Sequence, residues 1–142
     1  MTGQSNVVAF PTAHQDEEVV GLPLIAPGPY TATYVRHEGV QIFKVRKVRV
    51  LFRLLEHPGI ELERWYLVQS FKGRISAPVR SDIVCEVQAA LGRKIRHDQV
   101  PLASLKGIVV AVTVKTVVIN HRQREHKDVN RYSVIESMDG RA

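Results

Sequence analysis

The sequence predicts a mainly β domain with five strands and one short helix. Three observations predict it: apolar residues alternate clearly with a mostly basic face from Lys47, β-branched residues run almost unbroken from Ile108 to Ile119, and apolar residues recur at helical spacing only after Ser81. At 142 residues the chain has room for one hydrophobic core. Apolar residues at 44% and charged residues at 24% match ordinary globular usage, which excludes wholesale disorder.

Residues 1–27 mix small and polar residues with Pro11, Pro23 and Pro27 and hold no sustained period, so a flexible tail is expected there. The folded domain is expected over residues 28–138, with residues 139–142 frayed. Gly28-Pro29 punctuates the start of a first strand over residues 30–36, rich in aromatic and β-branched types, and His37-Glu38-Gly39 reads as the turn after it. In the second strand Val48, Val50, Phe52 and Leu54 take one face, and Lys47, Arg49, Leu51 and Arg53 the other. His57-Pro58-Gly59 breaks that strand. A third follows over residues 62–71; placing Trp65, Leu67 and Phe71 inward turns Arg64 and Tyr66 outward.

Ser81 or Asp82 caps a helix carrying Ile83, Val84, Val87, Ala90 and Leu91 at helical spacing, and Gly92 stands where a C-terminal glycine belongs. Residues 101–107 form a compact turn into a long, largely buried fourth strand over residues 108–119. A polar loop over residues 120–130 leads to a short fifth strand over residues 131–135. Three strands, one helix and two strands make the β-β-β-α-β-β order of an OB-like five-stranded barrel.

The formal charge is +6, and its distribution is more informative. Residues 1–27 hold three acids, Asp16, Glu17 and Glu18, and no Lys or Arg, so residues 28–142 carry 20 bases against 11 acids, a net of +9. Such a field favours a polyanionic partner, weighed against a surface charged only for solubility. In an OB-like barrel the second and third strands and the first and last strand-joining loops form the binding face. On that basis the candidate contacts are Arg36, Lys47, Arg49, Arg53 and Arg64 for the backbone, with Arg122, Arg124, Lys127 and Arg131 in and beside the last loop. Tyr34 and Tyr66 are the candidates for base stacking, against the plainer role of barrel tyrosines with tied-off hydroxyls.

The runs Tyr30 to Gly39, Leu62-Glu63-Arg64-Trp65-Tyr66, Ser81-Asp82-Ile83, Val100-Pro101-Leu102 with Leu105-Lys106-Gly107, and Arg131 to Ile135 together resemble small OB-fold proteins of phages and other mobile elements, similar to single-stranded-DNA-binding proteins. The resemblance spans most of residues 30–135 and implies binding of single-stranded DNA, with RNA a close variant. It carries no catalytic residue. Typical bacterial relatives of that group end in an acidic, partner-binding tip, whereas this sequence ends Asp139-Gly140-Arg141-Ala142, so recruitment through such a tip is not expected. The acidic Asp16-Glu17-Glu18 cluster is a competitor for the basic face or simply solvated charge.

Other chemistries lack their residues. His121 and His126 share a loop, yet no cysteine pair or His-Glu spacing accompanies them, so no metal and no cofactor are expected. Cys85 falls in the helix and no serine sits in a Gly-x-Ser-x-Gly elbow, so the chain reads as a binding protein and not an enzyme. A lone cysteine and the lack of a signal core or an apolar span favour the cytoplasm, with no membrane partner. Exposed strand edges can pair with a second copy of the chain. The competing function is a protein-interaction module of a mobile element, built on the same barrel without direct contact to nucleic acid.

Overall fold

The structure, a computed structural model, describes residues 22–119 and 130–142. Five strands, β1 (Gly28–Ile42), β2 (Val45–Leu54), β3 (Glu61–Leu67), β4 (Val109–Ile119) and β5 (Asn130–Arg141), form one antiparallel sheet in the order β3-β2-β1-β4-β5. Helix α1 (Asp82–Leu91) and a short 3-10 turn (Leu102–Leu105) connect β3 to β4. The mainly β class with one short helix is therefore observed. The edge strands β3 and β5 approach to within 8 Å, Cα to Cα, but no ladder joins them, so the sheet is not closed into a barrel.

Alternation makes β2 the centre of the core. Val48, Val50, Phe52 and Leu54 are wholly buried, each burial contributing about 1.5–3 kcal/mol. They pack with Leu62 and Tyr66 of β3, Val110, Val112 and Val114 of β4, Ile135 and Met138 of β5, and the Ile83, Val84 and Val87 face of α1. Ser81 is the N-cap in extended conformation, accepting from the Cys85 N–H through its carbonyl, with no bond from its hydroxyl. Gly92 ends the helix as expected, in the left-handed conformation at φ 72° with its N–H on the Gln88 carbonyl.

Several boundaries differ from the sequence reading, each for a local reason. β1 does not turn at His37-Glu38-Gly39: a bulge between Tyr34 and Arg36 swaps its faces, and the strand continues to Ile42. Tyr34 lies inward opposite Phe52 before the bulge, His37 inward opposite Val50 after it. Gly39 serves close approach, because a Cβ there would stand 2.2 Å from the Phe71 ring. β4 is not buried throughout. Val110, Val112 and Val114 are buried, whereas Lys115, Thr116 and Val118 are exposed. β5 runs past residue 135, and its end is not frayed: Met138 is buried, Arg141 pairs with Val110, and the Ala142 N–H reaches the Val109 carbonyl at 2.9 Å. The last residues of the expected tail are also engaged. The Pro23 carbonyl accepts from the Ser133 N–H at 2.8 Å, and the Ile25 N–H donates to the Ser133 hydroxyl at 2.8 Å.

β3 ends at Leu67 and presents the opposite faces from those expected. Its register sets Tyr66 against Val48, Arg64 against Val50 and Leu62 against Phe52. Directly opposed residues of an antiparallel pair share a side, so Arg64 and Tyr66 join the core face, and Trp65 and the exposed Leu67 turn outward. The reason is legible in hindsight: Glu61 and Glu63 share the parity of Trp65, and two carboxylates facing a core are worse than one aromatic facing out.

The seam between β3 and β5 is bridged by Glu86 of α1. Its Oε1 accepts from the Tyr66 hydroxyl at 2.6 Å, the Met138 N–H at 2.8 Å and Arg64 Nε at 3.1 Å, while Oε2 accepts from Arg64 Nη2 at 2.6 Å. Burial, reinforced by the Glu86 charge, holds the Tyr66 pKa well above its ordinary value, so the hydroxyl is a donor. Burial works to lower the Arg64 pKa, but the Glu86 hydrogen bond and nearby charges outweigh it, and the guanidinium stays protonated. Glu86→Ala leaves this nearly buried arginine with only the exposed Asp82, 3.6 Å away, and the expected loss is about 3–5 kcal/mol by urea denaturation. Glu86→Gln, which keeps the volume and an acceptor, loses measurably less.

Candidate nucleic-acid interface

The outward face of β2 collects Lys47, Arg49 and Arg53, as the alternation predicts, with Arg36 of β1 exposed on the same side opposite Leu51. Much of that charge is spent within the sheet. Arg49 bonds Glu63 and lies 3.1 Å from Glu38, and Arg53 donates to Glu61 at 2.7 Å. Glu38 stands directly opposite Arg49 and Glu61 opposite Arg53 in the strand register, while Glu63, opposite Leu51, reaches Arg49 diagonally on the same face, which is why the pairs form.

Tyr34 half-buries its ring on the core and shares a 2.6 Å hydrogen bond with His37 Nδ1. Tyr66 and Arg64 are withdrawn as contact residues. Tyr66 is 2% exposed, its ring is covered by the Arg64 guanidinium at 4.4 Å, and Arg64 is held by Glu86. Arg131 is exposed on β5 opposite Val118, at the far end of the sheet from the β1–β2 hairpin. Arg122, Arg124, Lys127, the His121 and His126 pair and the Asp16-Glu17-Glu18 cluster lie outside the described residues.

Two aromatic side chains missed as contacts are exposed or outward. Trp65 lies outward beside Lys47, whose Nζ is 5.9 Å from the ring centroid, and its indole N–H donates to Glu63 at 3.0 Å. Phe43 forms the tip of the β1–β2 hairpin, 92% exposed and at φ 57°, a conformation costly for a bulky residue. Ile42 and Val45 beside it are also exposed. The parity of β3 could have revealed Trp65; nothing in the local sequence marks Phe43.

Strand directions gather the loops at one pole. β1, β3 and β5 run one way and β2 and β4 the other, so the β1–β2 hairpin, the β3–α1 loop and the α1–β4 loop share an end. The hairpin and adjoining β2 bring Lys44, Arg46 and Lys47, the second loop Lys72, Arg74 and Arg80, and the third Arg93, Lys94, Arg96 and Lys106. Asp98 is the one acid in those segments and is taken by Arg96, at 2.8 Å. The loops also enclose an open cleft of about 640 Å³, edged by Arg74, Arg93 and Lys94. At the opposite pole Glu56 accepts from the Thr31 N–H and hydroxyl, bonds that lower its pKa.

Comparison of the chain with protein-family models, curated proteins and solved structures returns no match. Among the described residues no group of three or more His, Cys, Asp or Glu is placed to hold a metal ion, and no helix is long and apolar enough to cross a membrane.

Partial burial lowers the His37 pKa below its ordinary value and raises that of Tyr34. A histidine whose folded pKa is depressed favours folding when neutral, so its contribution is present above about pH 6.5 and is lost as the pH falls through that value. Thermal melts from pH 7.5 to 5.5 are expected to show falling stability in wild type and a shallower fall in His37→Gln. An unchanged slope in the variant would assign the pH dependence elsewhere.

Proposed function

We propose that this chain binds single-stranded nucleic acid, preferring DNA, through an OB-like barrel left open along one seam. The observation that carries the reading is the concentration of basic side chains from three loops at one pole, where Asp98, the one acid of those loop segments, is already paired with Arg96. That pole adjoins the outward Trp65 and Lys47, so cations for a phosphate backbone lie beside an aromatic face for a base. Stacking on such a platform is worth about 1–3 kcal/mol per base. The sheet-face arginines contribute less than their number suggests, because their carboxylate partners must be displaced first.

A second reading has one observation in its favour. The exposed Ile42, Phe43 and Val45 tip suits a protein partner, as in an interaction module of a phage or other mobile element. Titration of labelled single- and double-stranded oligonucleotides at several salt concentrations separates the two. Micromolar or tighter binding to single strands is expected, with log K falling on log salt at about 0.7 per phosphate contact. Lys44→Glu with Lys72→Glu is expected to weaken it more than tenfold. Absence of binding at low salt would overturn the reading and leave the protein-partner alternative.

A further inference from the structure

The cleft at the basic pole lies on the other side of the β1–β2 hairpin from Trp65. The β1 bulge turns His37 and Gly39 inward, and these two form part of its wall together with Phe71. Its two loops are laced to each other: the Ala77 N–H donates to the His97 carbonyl at 2.9 Å and the Val100 N–H to the Ile75 carbonyl at 2.8 Å. Gly92 ends α1 in the left-handed conformation immediately before Arg93 and Lys94, which edge the cleft. Its shape therefore belongs to the fold and does not depend on a ligand to assemble it.

Its chemistry is divided. Arg74, Arg93 and Lys94 line it together with one acid, Glu38, whose carboxylate is held by Arg49 at 3.1 Å, and among the described residues no acidic side chain makes an ion pair with any of the three cations. Phe71, Ile95 and Leu102 supply an apolar lining, and His37 and Gln99 supply hydrogen-bonding groups. A volume of about 640 Å³ falls within the about 300–1,000 Å³ of small-ligand sites. A simple anion site needs the cations alone; the apolar lining calls for a ligand with a flat, weakly polar part joined to its phosphate.

We propose that this cleft is a nucleoside-phosphate site, holding the phosphate on Arg74, Arg93 and Lys94 and the base against Phe71 and Ile95. The choice of a nucleotide over another phosphate ester rests on the nucleic-acid reading above; the anionic character of the site does not. Within a bound strand the cleft takes one unstacked nucleotide, while neighbouring phosphates follow the hairpin toward Lys47.

The test is calorimetric titration of the full chain with thymidine monophosphate, thymidine and inorganic phosphate separately. The nucleotide is expected to bind saturably below about 1 mM. Thymidine and phosphate are expected to bind at least tenfold more weakly. Arg74→Glu with Arg93→Glu is expected to lower nucleotide affinity at least tenfold, and Lys115→Ala, an exposed cation on β4 away from the cleft, to leave it unchanged. Lys94→Glu provides a separate reading if the double variant melts early. No binding of the nucleotide, equal binding of phosphate alone, or indifference of folded cleft variants would overturn the assignment. Oligonucleotide binding without nucleotide binding removes the cleft and keeps the strand reading; nucleotide binding without oligonucleotide binding does the reverse.

Discussion

Glu86 is the constraint on which the arrangement turns. A five-stranded sheet of this length leaves two edges, and here they meet side by side without exchanging hydrogen bonds. One carboxylate on α1 satisfies a tyrosine and an arginine from one edge and a backbone N–H from the other. Buried charges are tolerated only with such full pairing. Because α1 is held over the seam, the loops entering and leaving it are held at the same pole as the β1–β2 hairpin.

That placement decides the electrostatics. On the sheet face, bases and acids oppose one another across antiparallel strands and pair. In the loops the bases have few acids within reach, so the field of a chain with a formal charge of +6 is concentrated at one end. Concentrated charge beside an aromatic face differs from a merely soluble surface, because it combines long-range attraction with a short-range platform. The cleft adds a third element, a shaped recess within the same positive field.

Much of the fold was legible because local periodicity decides it. The β2 alternation identified four wholly buried residues, and the helical spacing after Ser81 with Gly92 beyond it placed α1. What stayed hidden depends on register and distant pairing. The bulge after Tyr34 changes which residues of β1 face inward, and His37-Glu38-Gly39 imitates a turn because Gly39 exists to admit Phe71. β3 was inverted because a tryptophan was weighed without the two glutamates of its parity. Of the candidate contacts, Lys47, Arg49 and Arg53 were correctly placed on one face, but their partners, Glu38, Glu61 and Glu63, come from neighbouring strands. The cleft brings together residues from 37 to 103, which no local pattern could assemble.

Amide chemical-shift mapping with a short oligothymidylate tests the central claim most directly, since it locates the contact without altering the protein. Perturbations are expected to cluster at Lys44 to Lys47, Lys72 to Arg74 and Arg93 to Arg96, together with the Trp65 indole. The turn between β2 and β3 at the opposite pole should stay silent. Shifts confined to that turn and the β4–β5 end, or no shifts at low salt, would contradict a nucleic-acid interface built on the basic pole.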